Sequence, residues 1–302
     1  MLMFNLGSLY SHSDGVTSIT LDDVTVSFDD ARRELLNLVG TRQPVSSHII
    51  SQEQAIELRE LNFLVPHKAA RFEQTRYQKL SDYIDSKFND DAFDNIQKAK
   101  VLLVGCGGVG AEVALHLAAA GVSELVLVDF DTVALHNLNR QYLYRERMVG
   151  QPKVQQLALQ LKDFNPSTTI YQKTMQIESD FPFESESDIP EVDLIVCAAD
   201  SPPLAIARYL LTESLHSDTP IVFGGVGINH GNCGPLLISE DSKLEQLADT
   251  QQLLDTLGEI GSVFSASYGP SNSITSGYIS DLIIQFLAGE INEDQALRRI
   301  QF

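Results

Sequence analysis

The apolar run Leu102-Leu103-Val104 passes directly into the glycine-rich stretch Gly105-Cys106-Gly107-Gly108-Val109-Gly110. A strand, a glycine turn and a helix in that order read as a βαβ unit, in which backbone N–H groups and the helix N-terminus can approach a polyphosphate. Gly105, Gly107 and Gly110 carry the G-x-G-x-x-G spacing, with Gly108 inside the same loop. Val126-Leu127-Val128 reads as a second apolar strand. Asp129 ends it 24 positions after Gly105, about where a ribose-binding carboxylate is expected. Taken alone, these glycines and this acid favour a dinucleotide site for NAD or FAD over one for ATP.

The residues that follow reverse the preference. Asp129-Phe130-Asp131-Thr132-Val133 leads to Asn137-Leu138-Asn139-Arg140-Gln141 and then to Gly150-Gln151-Pro152-Lys153, which places two fixed cations, Arg140 and Lys153, near the phosphates. Hydride transfer has no use for them. Cleavage of ATP between its α and β phosphates does, because arginine binds phosphate oxygens bidentately and lysine acts as a point charge on developing negative charge. Asp200 ends an expected strand over 192–199, at the carboxyl edge where such sheets bind ligands, and a carboxylate there can hold Mg²⁺. Taken singly, Arg140 and Lys153 read as surface cations near a helix start, and Asp200 as a helix cap before Ser201-Pro202-Pro203. Their order and spacing together argue for a site.

With these motifs, and with Arg76-Tyr77 ahead of them, the sequence resembles the ThiF/MoeB adenylyltransferases from about Arg76 to Gly289. The resemblance implies a Rossmann-like, mostly parallel α/β sheet with flanking helices. It also implies attack by a carboxylate on the α-phosphate of Mg·ATP, giving an acyl-adenylate and pyrophosphate. By family role Asp129 holds the ribose, Asn137, Arg140 and Lys153 hold the phosphates with Asp131 and Gln141 in the same motifs, and Asp200 holds the metal. The family pattern further implies a homodimer in which a second arginine reaches the partner's ATP; here that place holds Lys79, which keeps the charge and loses the bidentate fork, with Arg76 as a partial substitute. Relatives continue past the position of Phe302 into further strands and a zinc region.

Within that family the likeness is greatest to enzymes that modify precursor peptides, of the microcin C and pantocin A type. It rests on 220–226 leading to Gly234-Pro235-Leu236, on 264–272, and on about seventy extra residues upstream. The upstream segment looks like a small winged-helix module, with strand-like 17–21 and 24–28. A helix capped by Asp29 or Asp30 is expected next, with Ala31, Leu35, Leu38 and Val39 at helical spacing and Gly40 as its stop. A second helix opens on the capping-box pair Ser51 and Gln54 and presents Ala55, Ile56, Leu58 and Leu61. Such a module, assigned to 1–68 ahead of an adenylation domain at 69–302 with a linker over 66–75, would clamp the leader of a precursor peptide by strand addition. A simple covering role and DNA binding are the alternatives, and DNA is disfavoured because the segment holds Asp22, Asp23, Asp29 and Asp30 and lacks a basic stripe.

The balance of 41 acids against 21 bases, net −20, excludes nucleic acid and anionic membranes as expected partners. No apolar run reaches the roughly 18 residues of a membrane span, and the N-terminus lacks the basic start of a signal peptide, so a cytoplasmic location is expected. Residues 184–188 read as an acidic surface loop. Cys106, Cys197 and Cys233 form no CxxC pair, so no zinc is expected. No cysteine occurs in 234–302, where relatives place a sulfur relay, and the three thiols read as small buried hydrophobes. His136 and His230 are expected near the site in local hydrogen-bonding roles. The expected activity is ATP-dependent activation of a carboxylate in a ribosomally made peptide, leaning towards glutamate side chains followed by cyclisation and loss of water. C-terminal adenylation of a peptide, activation of a ubiquitin-like sulfur carrier, an NAD-dependent oxidoreductase and a non-catalytic peptide scaffold stand as alternatives.

Overall fold

The computed structural model describes residues 1–28, 33–67, 71–177, 190–257 and 266–302. The chain divides into two compact units, Met1–Phe93 and Asp94–Phe302, with the division inside one short helix rather than near residue 68.

In the first unit β1 (Leu2–Phe4) pairs antiparallel with β5 (Leu64–Pro66). A separate antiparallel sheet is built from β2 (Leu9–Ser13), β3 (Val16–Leu21) and β4 (Val24–Phe28), with β3 central. Both strands expected from the sequence are therefore present, and β2 precedes them. The helix expected to run to Gly40 is shorter: α1 spans Arg33–Leu36 and gives way to turns closed by Leu38 N–H to Leu35 C=O and Thr41 N–H to Leu38 C=O. Leu35, Leu38 and Val39 are nevertheless all buried. Their spacing reported which side faces the core, and a tight turn satisfies it as well as a helix does. Asp29, Asp30 and Ala31 lie outside the described residues. α2 (Gln52–Glu60) carries the expected capping box, with Ser51 Oγ accepting from Gln54 N–H at 3.2 Å and Gln54 Oε1 accepting from Ser51 N–H at 3.1 Å. Of its apolar residues Leu58 is buried, whereas Ile56 and Leu61 are exposed. Phe4, Ile19, Phe28, Leu35, Leu58 and Phe63 form the core of this unit. α3 (Gln78–Lys87) is tied to it by Arg42, whose guanidinium donates to Asp82 at 2.8 Å and Asp85 at 2.7 Å. Part of the expected linker packs, since Phe72 sits 4.6 Å from Phe93 and 6.4 Å from Tyr77, centroid to centroid.

The short helix α4 (Ala92–Lys98) leads into the second unit, a seven-stranded sheet in the order β12-β11-β10-β9-β6-β7-β8. Five strands are parallel: β6 (Lys100–Val104), β7 (Glu124–Val128), β8 (Thr169–Lys173), β9 (Leu194–Cys197) and β10 (Ile221–Val226). β11 (His230–Leu237) and β12 (Arg298–Gln301) add antiparallel at one edge. β6, β7, β9 and β10 are largely apolar because helices cover both faces, whereas the edge strand β8 carries Thr169, Gln172 and Lys173. α5 (Gly108–Ala120), α6 (Lys153–Phe164) and α9 (Gly269–Leu287) lie on one side, and α7 (Ala205–His216) and α8 (Glu240–Leu257) on the other. Strand order runs outwards from β6 to β8 and then returns to place β9 on the other side of β6. A topological switch point therefore opens between the carboxyl ends of β6 and β9, where open α/β sheets bind ligands.

Candidate functional site

At that switch point lies a cavity of about 500 Å³. Its wall includes Gly105, Gly107, Gly108, Asp129, Asp131, Asn137, Arg140, Gln141, Lys153 and Asp200, residues spread over nearly a hundred positions of sequence.

The glycine loop is shaped by close approach. Gly105 has φ +97°, and a Cβ there would sit 2.6 Å from the backbone of Ala198, so β6 and the end of β9 touch through it. Gly110 does not line the cavity. Its place, one turn into α5, brings it against the Gly105 carbonyl, to which a Cβ would come within 1.8 Å. Gly107 is the N-cap of α5 and offers no side chain to the helix, so the first N–H groups of α5 remain available at the cavity. Tyr144, which the sequence did not single out, braces this loop by donating its hydroxyl to the Cys106 carbonyl at 2.7 Å; burial raises its pKa and keeps it a neutral donor.

Asp129 follows β7 and accepts from two backbone groups, Cys106 N–H on Oδ2 and Asp131 N–H on Oδ1, both at 2.7 Å. Each oxygen keeps a second lone pair, enough for a ribose hydroxyl. Lys153 opens α6 and is almost fully buried, and its ammonium donates to Asp131 Oδ2 at 2.8 Å. A bridge between Thr132 and Pro152 and a bond from Lys153 N–H to the Asp131 carbonyl bring these two side chains together. Asn137 Oδ1 accepts from Ala134 N–H at 2.9 Å and so fixes the short 3₁₀ turn Leu135–Asn137. Arg140 Nη1 is held by the His136 carbonyl at 3.1 Å and Asn139 Oδ1 at 2.9 Å, with no carboxylate on it among the described contacts. Gln141 is buried, and its Oε1 has no hydrogen-bond partner among the described residues.

Asp200 is exposed at the cavity rim and makes no hydrogen bond or ion pair among the described residues. It is not a helix cap, because α7 begins at Ala205 behind Leu204. β9 is shorter than expected, since Ala198 and Ala199 leave the ladder to line the cavity. Among the described residues no three His, Cys, Asp or Glu side chains gather as a metal site. A single uncommitted carboxylate facing a phosphate-sized space nonetheless fits Mg²⁺, which is commonly held by one or two carboxylates together with substrate phosphates.

His136 and His230 both line the cavity near which they were expected. Sequence reasoning singled out no site residue among Met175 and Ile177 after β8, Gly224 and Gly225 of β10, or Asn232 of β11, which line it too. Asn272 lies there too, and with Asn139 it anchors the segment before α9: Asn139 Nδ2 donates to the Ser267 carbonyl and Asn272 Nδ2 to the Tyr268 carbonyl. Phe264 and Ser265, and the acidic run 184–188, lie outside the described residues. Arg76 and Lys79 belong to the first unit, at the start of α3, where Lys79 is exposed. The three cysteines are buried and unbridged. Burial raises every thiol, Cys197 to about 12 and Cys233 to about 11. No helix of the described residues is long and apolar enough to cross a membrane.

A sequence profile described as the ThiF family matches residues 81–302. The molybdopterin-synthase adenylyltransferase of Haemophilus influenzae is 32% identical over 152 residues, which is 50% of this chain and 60% of that protein. Among solved structures, Escherichia coli MccB with ATP superposes with a TM-score of 0.74 at 18% identity, covering 99% of this chain and 96% of that one. The same protein has been solved with AMPCPP and MccA. PaaA superposes with a TM-score of 0.67 at 19% identity, over 98% of each chain. These structural likenesses extend over both units.

Proposed function

The chain belongs to the ThiF family, and we propose that it is an ATP-dependent adenylyltransferase acting on a carboxylate of a ribosomally made precursor peptide. The observation that carries this reading is the convergence of the glycine loop, Asp129, Asn137, Arg140, Lys153 and Asp200 on one cavity. The N–H groups at the start of α5 receive phosphate oxygens, and Asp129 accepts from the ribose. Arg140 and Lys153 face the negative charge that develops as a carboxylate oxygen bonds to the α-phosphorus and the bond to the bridging oxygen breaks, releasing pyrophosphate. Asp200 would hold Mg²⁺, which supplies further neutralisation of the phosphates. Arg76 and Lys79 are assigned to the nucleotide of a partner protomer in a homodimer.

The activated carboxylate is proposed to be a glutamate side chain. An amide nitrogen of the same peptide then bonds to the acyl carbon and gives up its proton as AMP leaves, so that the peptide has lost one water overall. The full-length fold likeness to MccB, solved with MccA, and to PaaA supports a substrate of the peptide class and a leader-binding role for the first unit. Activation of a sulfur-carrier protein is the second reading, favoured by the identity to molybdopterin-synthase adenylyltransferase. Against it, every thiol of the chain is buried with a raised pKa, and none is suited to a relay.

The test is exchange of labelled pyrophosphate into ATP, followed by mass spectrometry of any short peptide encoded beside this gene after incubation with Mg·ATP. Exchange with AMP release and loss of water supports side-chain activation. A nucleotide-sized mass gain would indicate C-terminal adenylation instead, and absence of exchange with every peptide and carrier tried would refute the adenylation reading.

A further inference from the structure

Closing a ring through an amide nitrogen leaves one proton to be placed. That nitrogen becomes strongly acidic as it bonds to an acyl carbon, so its proton has to pass to a base while the bond forms. The ionisable groups on the phosphate side of the cavity are engaged elsewhere. Asp129 accepts from two backbone N–H groups, Asp131 is paired with Lys153, and Asp200 is assigned to the metal. Arg140 is a permanent cation, and His136 belongs to the turn whose carbonyl holds it.

The opposite wall is built from the end of β10, the start of β11 and the turn between them. His230 is the ionisable side chain that the described residues place on it, among glycines, Val226 and Asn232. Its neighbour Gly231 faces α9, since a Cβ there would meet Thr275, and alternation along β11 turns His230 to the other face, the cavity side. The backbone beneath the ring is tied on both sides. Gly227 N–H donates to the His230 carbonyl at 2.8 Å, Phe302 N–H donates to the Asn229 carbonyl at 3.1 Å, and His230 pairs across the ladder with Gln301. The imidazole lies along the bare backbone of Gly227, where a Cβ would be 3.4 Å from Cε1 and 3.6 Å from Nε2. The residue is partly exposed, and its ring makes no hydrogen bond or ion pair among the described residues. An accessible imidazole with uncommitted nitrogens, carried on a strand end, has the geometry of a general base.

We propose that His230 is the general base of ring closure, taking the amide proton as AMP leaves. This rests on the reading above, in which a glutamate side chain is activated as its adenylate. The electron pair of the amide nitrogen forms the bond to the acyl carbon. The bond from that carbon to the phosphate oxygen breaks with its electrons on AMP, and the N–H proton passes to a ring nitrogen of His230, which later returns it to solvent. Adenylation makes no such demand, because the attacking carboxylate has no proton to lose. The two walls of the cavity thus serve the two half-reactions.

The half-reactions are measured separately on the full chain with Mg·ATP and any short peptide encoded beside this gene. Pyrophosphate–ATP exchange reports adenylation, and mass spectrometry over a single turnover reports water loss. His230→Ala should slow water loss by about 10²–10⁴-fold, the ordinary contribution of general acid–base catalysis, with exchange altered less than about threefold and peptide carrying the added mass of AMP accumulating. His230→Gln, which keeps the bulk but has no basic nitrogen, should behave alike. Added imidazole should restore water loss to His230→Ala in proportion to its concentration and leave the wild type unchanged, an effect that a packing role of the ring cannot produce. Water loss at the wild-type rate in either variant, equal losses of exchange and water loss in both, or failure of imidazole to restore the step overturns the role of His230. Exchange without water loss in the wild type overturns ring closure instead, and absence of exchange overturns the adenylate-forming reading itself.

Discussion

Replacement of Lys153 by methionine separates the chemistry of the site from its architecture. The side chain is only 7% exposed and its ammonium lies 2.8 Å from Asp131 Oδ2, whereas the Asp131 side chain is 50% exposed. Solvent screens a pair with one half-exposed partner, so its contribution to stability is about 0–1 kcal/mol. Methionine retains an unbranched stem of similar length, and the frame around it persists, since Lys153 N–H to the Asp131 carbonyl and Val133 N–H to the Gln151 carbonyl are both backbone bonds of 2.9 Å. A melting temperature within about 4 °C of wild type is therefore expected. Catalysis should respond differently. Loss of one preorganised donor facing transition-state charge costs about 2.7–4 kcal/mol, or roughly 10²–10³ in rate. Asp131→Asn keeps the ammonium but loosens its placement, and should cost about tenfold through misorientation alone. Pyrophosphate–ATP exchange, read beside a thermal melt, gives both numbers. A folded Lys153→Met variant that exchanges within about threefold of wild type would falsify the assignment of the phosphate side of the cavity, since no transition-state donor is so cheaply lost.

Three further outcomes follow from the same geometry. Gly110→Ala places a methyl group 1.8 Å from the Gly105 carbonyl oxygen, a backbone atom that no rotamer change can move; about 1–3 kcal/mol of destabilisation or more and loss of ATP binding are expected, and a variant that binds ATP normally by calorimetry contradicts the close-approach account. Asp200→Asn should raise the Mg²⁺ concentration needed for half-maximal exchange while leaving metal-free ATP binding unchanged, and an unaltered Mg²⁺ dependence would remove Asp200 from the metal role. Asp294 concerns acid stability. Burial tends to raise its pKa, but hydrogen bonds from Ser239, the Ile238 and Ser239 N–H groups and Ser242 outweigh it and hold the carboxyl at about 2, below its ordinary 3.8. Because the folded-state value is the lower one, the carboxylate contributes stability above about pH 4 that fades as pH falls towards 2. Urea midpoints of wild type and Asp294→Asn should converge over that window, and a constant gap down to pH 2 would contradict the hydrogen-bond account.

What was legible in the sequence was local. The strands over 100–104 and 124–128 are short apolar runs bounded by turns, and the capping box at Ser51 is closed by residues three positions apart. Asp129 came from its distance to the glycine loop, which a βαβ crossover of ordinary length holds nearly constant. What was not legible depends on backbone brought together from afar. Asp131 was placed with the nucleotide, yet its side chain holds Lys153, and only the bridge from Thr132 to Pro152 makes them neighbours. Gly110 belongs to the motif but serves packing of α5 on β6 rather than the ligand. Leu38 and Val39 matched helical spacing because both are buried, although their backbone turns instead. Ile56 and Leu61 matched it as well and are exposed, since a nine-residue helix with one buried apolar position obeys no strong period.

The two sides of the cavity differ in the same way, and the difference bears on why the nucleotide is easier to name than the acid. From Gly105 to Lys153 the residues proposed to meet phosphate and ribose form one contiguous stretch, carried on consecutive βα turns. Their chemistry, a glycine turn, a carboxylate, an arginine and a lysine, is dictated by a ligand whose charges never change. The opposite wall is assembled from β10, β11 and the segment before α9, and it consists largely of glycine, asparagine and serine. Such residues leave no charge pattern in a sequence, because what they contribute is space and neutral polar groups.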